Sequence, residues 1–446
     1  MTADQHRPTS RAFPVRWVPA RRSVAVVAAA LGLILTLTAL PAGAAPTDAW
    51  GSLSGSNGNT MVNPGEATIT ATTARRVTGA WTSDWANSGG SQRPTVVGEV
   101  VYYLHRHINA TDPRALVAAS TRTGKTLWQV PLSLSNDRLY DDGVTVAGPL
   151  VLISFQEPRG FGAGLLAVDT RTRRVAWTST VTNSAQQYGW SGHQVYADST
   201  RAYVHLADRT LAAYRLSDGR LQWTIPLNDT LRIGVALGAG VLYVGYDPRT
   251  PGITAYDAAT GRKLWTAPGH GTPVVAGNRV FAESGLAVVA LSAAGCGRTT
   301  CSALWTKPFP SGTADLTLGP ADGSTLFVTY RRSVPRNAYG DVYAGVLARL
   351  SATTGAQQWT TTAGDYVTPA VRGGNVVWVV NEYRTAAGSI AYRILGFAAT
   401  GTSTAAVANI PSAQRGFPQT LTIGGGTLFN QTNVPQRLLA YRVPGT

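Results

Sequence analysis

One phrase recurs along the chain: an apolar strand, a small or acidic residue, a turn ending in Gly, and a Trp four residues after that Gly. It reads LVAASTRTGKTLW at Leu116–Trp128, LLAVDTRTRRVAW at Leu165–Trp177, LAAYRLSDGRLQW at Leu211–Trp223, ITAYDAATGRKLW at Ile253–Trp265 and LARLSATTGAQQW at Leu347–Trp359. A sixth copy, Ala287–Trp305, keeps Gly295 and the Trp but carries six extra residues, which include both cysteines. A seventh, Ile394–Gly401, has Ala405 where Trp is expected, and an eighth, Leu438–Arg442, runs into the C-terminus.

The Trp residues at 81, 128, 177, 223, 265, 305 and 359 are separated by steps of 47, 49, 46, 42, 40 and 54. A period of about 45 belongs to four-stranded propeller blades. Between successive Trp residues lie two more β-branched runs, such as Thr272–Ala276 and Arg279–Ala282, split by Gly277-Asn278. With 48 Gly and 25 Pro in 446 residues, about one position in six breaks a long helix. The expected fold is therefore all-β: one eight-bladed β-propeller of four-stranded antiparallel blades. A strand near Ala80–Thr82 should complete the blade whose last C-terminal strand is Leu438–Arg442, closing the ring through both termini and hiding its free edges.

In four of the units the turn Gly (Gly124, Gly219, Gly261, Gly355) is expected to supply a positive φ. The Trp (Trp128, Trp177, Trp223, Trp265, Trp305, Trp359) is expected to fill the wedge between neighbouring blades. These residues resemble the quinoprotein-like (PQQ-like repeat) β-propeller family, whose signature A-x-D-x-x-T-G-x-x-x-W is met most closely at Ala255 to Trp265. Trp50 to Trp81 is similar to the lead-in that secreted members carry before the first blade. The family joins pyrroloquinoline-quinone dehydrogenases to non-catalytic, BamB-like scaffolds. The resemblance implies for the enzymes vicinal cysteines over the quinone, a Trp beneath it, and an acidic and amide set around Ca²⁺. Cys296 and Cys301, with four residues between them, do not match that pattern, so the BamB-like branch is the expected one. No catalytic, cofactor-binding or metal residues are assigned. A quinone-dependent dehydrogenase is the alternative, and a polysaccharide-active propeller is a third reading that requires a facing carboxylate pair.

The N-terminus reads as an export signal. Residues 1 to 22 carry five Arg against Asp4, Val24–Leu40 is uncharged over 17 residues, and Ala42 and Ala44 form an A-x-A site. Residues 1–44 are read as a signal peptide cleaved after Ala44, 45–73 as the lead-in and 74–446 as the propeller. An uncleaved anchor is the competing reading, since 17 apolar residues reach the lower limit for a span. Arg21-Arg22 is compatible with twin-arginine export. The expected location is outside the cytoplasm, secreted or at the cell surface. There Cys296 and Cys301 are expected to form a local disulfide.

Charge adds one constraint. The 38 basic residues outnumber 23 acidic ones, for a net +15, but they form no basic run longer than two, so nucleic acid is not the expected partner. Envelope association is compatible with the sign. His105 and His107 share a strand face but lack a nearby carboxylate, and His193, His205 and His270 fall in different units. Asp169 and Asp257 occupy the repeat's Asp position, where a carboxylate accepts bonds from its own turn. Asp141-Asp142-Gly143 lacks the spacing of a calcium loop. The excursion Arg331–Tyr343 combines Arg, Tyr and Gly, and Arg331, Arg332, Arg336 and Tyr339 are the candidate surface for a protein or glycan partner. A monomer is expected.

Overall fold

The computed structural model describes residues 49–52, 54–84, 93–105, 114–132, 144–156, 162–182, 194–206, 210–227, 234–246, 251–334, 343–412, 421–433 and 436–446. The chain divides into two units, Met1–Pro41 and Ala42–Thr446, and every described residue belongs to the second. The expected signal segment lies outside the described residues. No described helix is long and apolar enough to cross a membrane.

Eight antiparallel blades of four strands form a ring. Blade 1 runs from Thr95–Val97 to Thr126–Leu132, blade 2 from Thr145–Ala147 to Arg174–Thr182, and blade 3 from Val195–Ala197 to Leu221–Pro226. Blade 4 spans Gly234–Gly238 to Lys263–Ala267, blade 5 His270–Ala276 to Trp305–Pro308, and blade 6 Thr313–Ala321 to Gln357–Thr362. Blade 7 extends from Tyr366–Val367 and Val371–Gly373 to Ala406–Ser412. Blade 8 takes three strands from the C-terminus, ending at Gln436–Arg442, and its outer strand, Thr78–Asp84, from the N-terminal side. The closure expected from the sequence is present, with a longer N-terminal strand.

In five blades the repeated Trp lies on the turn Gly of the next blade. Trp81 of blade 8 lies over Gly124 of blade 1, Trp177 over Gly219, Trp223 over Gly261, Trp265 over Gly295 and Trp305 over Gly355. The indole N–H of Trp81, Trp177, Trp223 and Trp305 donates to a backbone carbonyl of the next blade's turn, at Thr121, Leu216, Ala259 and Ala352. Blade 2 has Arg173 in place of the turn Gly, at φ 57°. Trp359 is buried with no partner for its N–H among the described residues. Trp177→Phe should therefore lower stability by about 1 kcal/mol more than Trp359→Phe, because only the former breaks a bond and strands a carbonyl. Paired denaturant titrations would measure the gap.

A second aromatic stands behind six of the seven outer Trp residues, the exception being Trp177, where Leu152 holds the same register. Tyr102, Tyr203, Tyr243, Phe281, Phe327 and Phe429, on the second strands, place their rings 5.8–5.9 Å from the Trp of their own blade. Blade 7 lacks the outer Trp. There the second strand carries the fully buried Trp378, facing Gly396 on the third strand, where a Cβ would lie 2.9 Å from the indole. The large ring has moved inward, and Gly makes room for it.

The insertion of blade 5 serves blade 4. Thr266 on the outer strand of blade 4 donates its N–H to Thr299 and accepts from Cys301, so the loop adds to an otherwise open edge. Cys296 and Cys301 are bonded, and Cys301 packs with Trp265, which is buried. Reduction should cost about 2 kcal/mol by the entropy of a short closed loop. Thermal unfolding with and without reductant, against Cys296→Ser/Cys301→Ser, checks this.

Candidate functional site

The axis of a propeller poses a hydrogen-bonding problem. Each innermost strand has one paired edge and one edge facing the channel, where unpaired N–H and C=O groups converge. Here the lead-in meets that demand, passing from blade 1 to blade 8 in order.

Ala49–Trp50 pairs antiparallel with Val96–Val97 of blade 1, and Gly51 accepts from Val146 of blade 2. The Asn57 side chain bonds both the N–H and the C=O of Ala197 in blade 3, while its carbonyl accepts from Leu237 in blade 4. Asn59 donates to Val235 of blade 4 at 2.6 Å and to Pro273 of blade 5 at 3.0 Å, and its oxygen accepts from Gln194 at 3.3 Å. Gly58 accepts from Val275 of blade 5 at 2.7 Å, Thr60 from Ala321 of blade 6 at 2.9 Å, and Met61 from Arg372 of blade 7 at 2.8 Å. Val62–Asn63 then lies parallel to Arg372–Gly373. Asn63 donates to Ile423 and Glu66 accepts from Gly426, both in blade 8.

Asn59, Asn63 and Glu66 are buried polar groups whose partners are largely backbone. Asn59 sits at φ 56°, a left-handed conformation that Asn tolerates better than most residues. Gly58 approaches so closely that a Cβ would lie 2.6 Å from the Val275 carbonyl oxygen. Sequence reading marked this segment as a lead-in without a structural role; its signal is the Asn spacing at 57, 59 and 63.

On the side away from the lead-in, His270 and Glu283 face each other across the first two strands of blade 5, with Nδ1 and Oε2 3.8 Å apart. His270 Nε2 accepts from the Gly285 N–H at 3.0 Å, so a neutral ring carries its proton on Nδ1. Burial pushes the Glu283 carboxyl up from 4.5 to about 7. The native state then holds a proton that the unfolded chain has released, so this group's contribution is intact below about pH 4.5 and is lost as pH rises through 7. Glu283→Gln should remove a loss of about 3 kcal/mol over that window, read as a flatter unfolding temperature against pH.

The other sequence candidates do not converge. His105 ends the second strand of blade 1, His205 is buried in blade 3, and His107, His193 and Asp141-Asp142 lie outside the described residues. Asp169 accepts from the N–H groups of Arg171 and Thr172 and pairs with the Arg171 guanidinium, which holds its carboxyl down at about 2. Asp257 likewise accepts from Thr260. Arg331 and Arg332 end the second strand of blade 6, while Arg336 and Tyr339 lie outside the described residues.

These residues do not fit a quinone and calcium centre. The innermost strands are bonded to the chain's own lead-in, and the cysteine pair sits at the outer edge of blade 4. Among the described residues no three His, Cys, Asp or Glu side chains come together as a metal site would require.

Comparison with known proteins agrees with the architecture. No curated protein matches the sequence at a significant level. BamB from Moraxella catarrhalis superposes with a TM-score of 0.54 at 16% identity, covering 82% of this chain and 99% of that one. Quinohemoprotein alcohol dehydrogenase from Comamonas testosteroni gives 0.59 at 13% identity, over 90% and 82%. Quinohemoprotein alcohol dehydrogenase ADHIIG from Pseudomonas putida HK5 gives 0.58 at 14%, over 90% and 81%. At such identities these likenesses show the fold, which scaffold and enzyme share. The family model described as outer membrane protein assembly factor BamB matches residues 65–233 and 227–297, more than half of the sequence, and the chain belongs to that family of PQQ-like repeat propellers.

Proposed function

We propose that this chain is an exported, non-catalytic propeller that works as a binding scaffold at the cell surface or outside the cell, taking a protein or glycan partner through its loops. The observation that carries this reading is the axial lead-in, which bonds to the innermost strand of all eight blades. Loops and outer strands remain as surface for recognition. The BamB family membership points to the same class of role, and the export reading rests on residues 1–44.

Cross-linking the full-length protein in its native host, followed by mass spectrometry, should capture a partner through the loops, and the exported protein should begin at Ala45. A thermal shift with dye reduction on adding pyrroloquinoline quinone and Ca²⁺ would overturn the reading.

A further inference from the structure

Blades 6 and 7 are built differently from blades 3 to 5. Their second and third strands, Thr325–Ser333, Tyr343–Ser351, Val376–Arg384 and Ile390–Ala398, have nine residues each, against five or six in blades 3 to 5. The extra residues all extend on the side away from the lead-in. At roughly 3.3 Å per residue the two hairpins rise about 10 Å further there.

The raised part carries an ordered set of aromatic and charged groups. The Arg331 guanidinium lies 4.7 Å from the centre of the Tyr343 ring and 5.9 Å from that of Tyr366, and it pairs with Asp315. On blade 7, Arg393 lies 4.5 Å over Tyr383 and donates through Nε to Asn381 at 2.8 Å. Asn381 is fully buried, and its amide donates to the carbonyls of Ala363, Tyr366 and Glu382. One buried amide thus fixes both Arg393 and the backbone under Tyr366, which preorganises the surface. Asp315 is half exposed, and Tyr343 and Ile390 present 36% and 52% of their surface.

Charge decides the class of ligand. Arg331, Arg332, Arg384 and Arg393 are accompanied by Asp315, Asp365 and Glu382, so these seven groups carry a net charge of only +1 of the chain's +15. An anionic polymer would meet carboxylates here. A polyhydroxylated neutral ligand meets what it needs: a carboxylate and a guanidinium side by side for adjacent hydroxyls, and tyrosine rings for the C–H face of a sugar.

We propose that the blade 6 and 7 platform is a binding site for a neutral oligosaccharide, with Tyr343 taking its C–H face and the Asp315–Arg331 pair its vicinal hydroxyls. This rests on the reading of the chain as a binding scaffold. The test titrates the full-length protein calorimetrically with hexaoses of β-1,4-glucose, α-1,4-glucose and β-1,4-N-acetylglucosamine, with polyglutamate as the anionic control. At least one neutral hexaose should bind in the millimolar range or tighter and withstand about 0.5 M NaCl. Tyr343→Ala and Asp315→Asn should each weaken it about tenfold with an unchanged unfolding temperature, Asn being able to keep the φ of 50° at position 315. No binding of any neutral hexaose at about 10 mM, binding that survives both substitutions, or binding of polyglutamate alone would each overturn the proposal. Those results leave the scaffold reading standing if cross-linking still captures a partner, whereas quinone loading removes both.

Discussion

Replacing Asn59 with Leu should cost about 4 kcal/mol, although the residue belongs to no blade. Two buried carbonyls, of Val235 and Pro273, lose their donor, and an apolar side chain must occupy a left-handed backbone. Each stranded carbonyl carries a penalty of about 1–3 kcal/mol, and the backbone adds about 1. For a ring of this size that amounts to about 5 °C in a calorimetric unfolding temperature. Asn59→Gly keeps the backbone but not the bonds, and should fall between the two proteins. Ala67→Ser, at an exposed position of the same lead-in, should change nothing measurable. A wild-type unfolding temperature for Asn59→Leu would mean that the lead-in does not hold the ring.

Gly219→Ala should be nearly as damaging, at about 3 kcal/mol, whereas Gly401→Ala should cost about 1. Both glycines have positive φ, 71° and 82°. At Gly219 a Cβ would lie 2.4 Å from the Trp177 ring and 2.7 Å from Ser179 Oγ, while at Gly401 nothing lies within 4 Å. Strain is common to both substitutions, and the collision with Trp177 is peculiar to the first. Chemical denaturation of the two variants should separate these contributions; equal losses would show that the indole does not rest on that turn.

The ring was legible because its clearest signal is nearly periodic. Turn Gly and outer Trp are joined by a short hairpin, so their spacing of four residues survives in copy after copy. The aromatic of the second strand was not legible, although it is almost as regular in space. Tyr102 lies 16 residues before its cross-strand partner Ala118, Tyr203 10 before Ala213, and Phe327 22 before Arg349, because loops of different length intervene. The lead-in was marked in the sequence, but its place along the axis was not legible, for another reason. Its partners are backbone groups contributed by all eight blades, and a backbone acceptor leaves no mark in a sequence. Only the Asn and Gly residues that serve such partners could have pointed to that role. The platform was glimpsed through Arg331 and Arg332, but Tyr366, Tyr383 and Arg393 come from other segments and join them only through the fold.

The path of the lead-in also sets an order in time. Residues 49–66 are synthesised before any blade, yet their partners extend to Gly426 in the last one. The outer strand Thr78–Asp84 likewise waits for Gln436–Arg442. Contacts that span nearly the whole chain form slowly, because a very long loop must close first. A segment made before every blade is therefore among the last to settle, and its burial marks the moment at which the ring is finished.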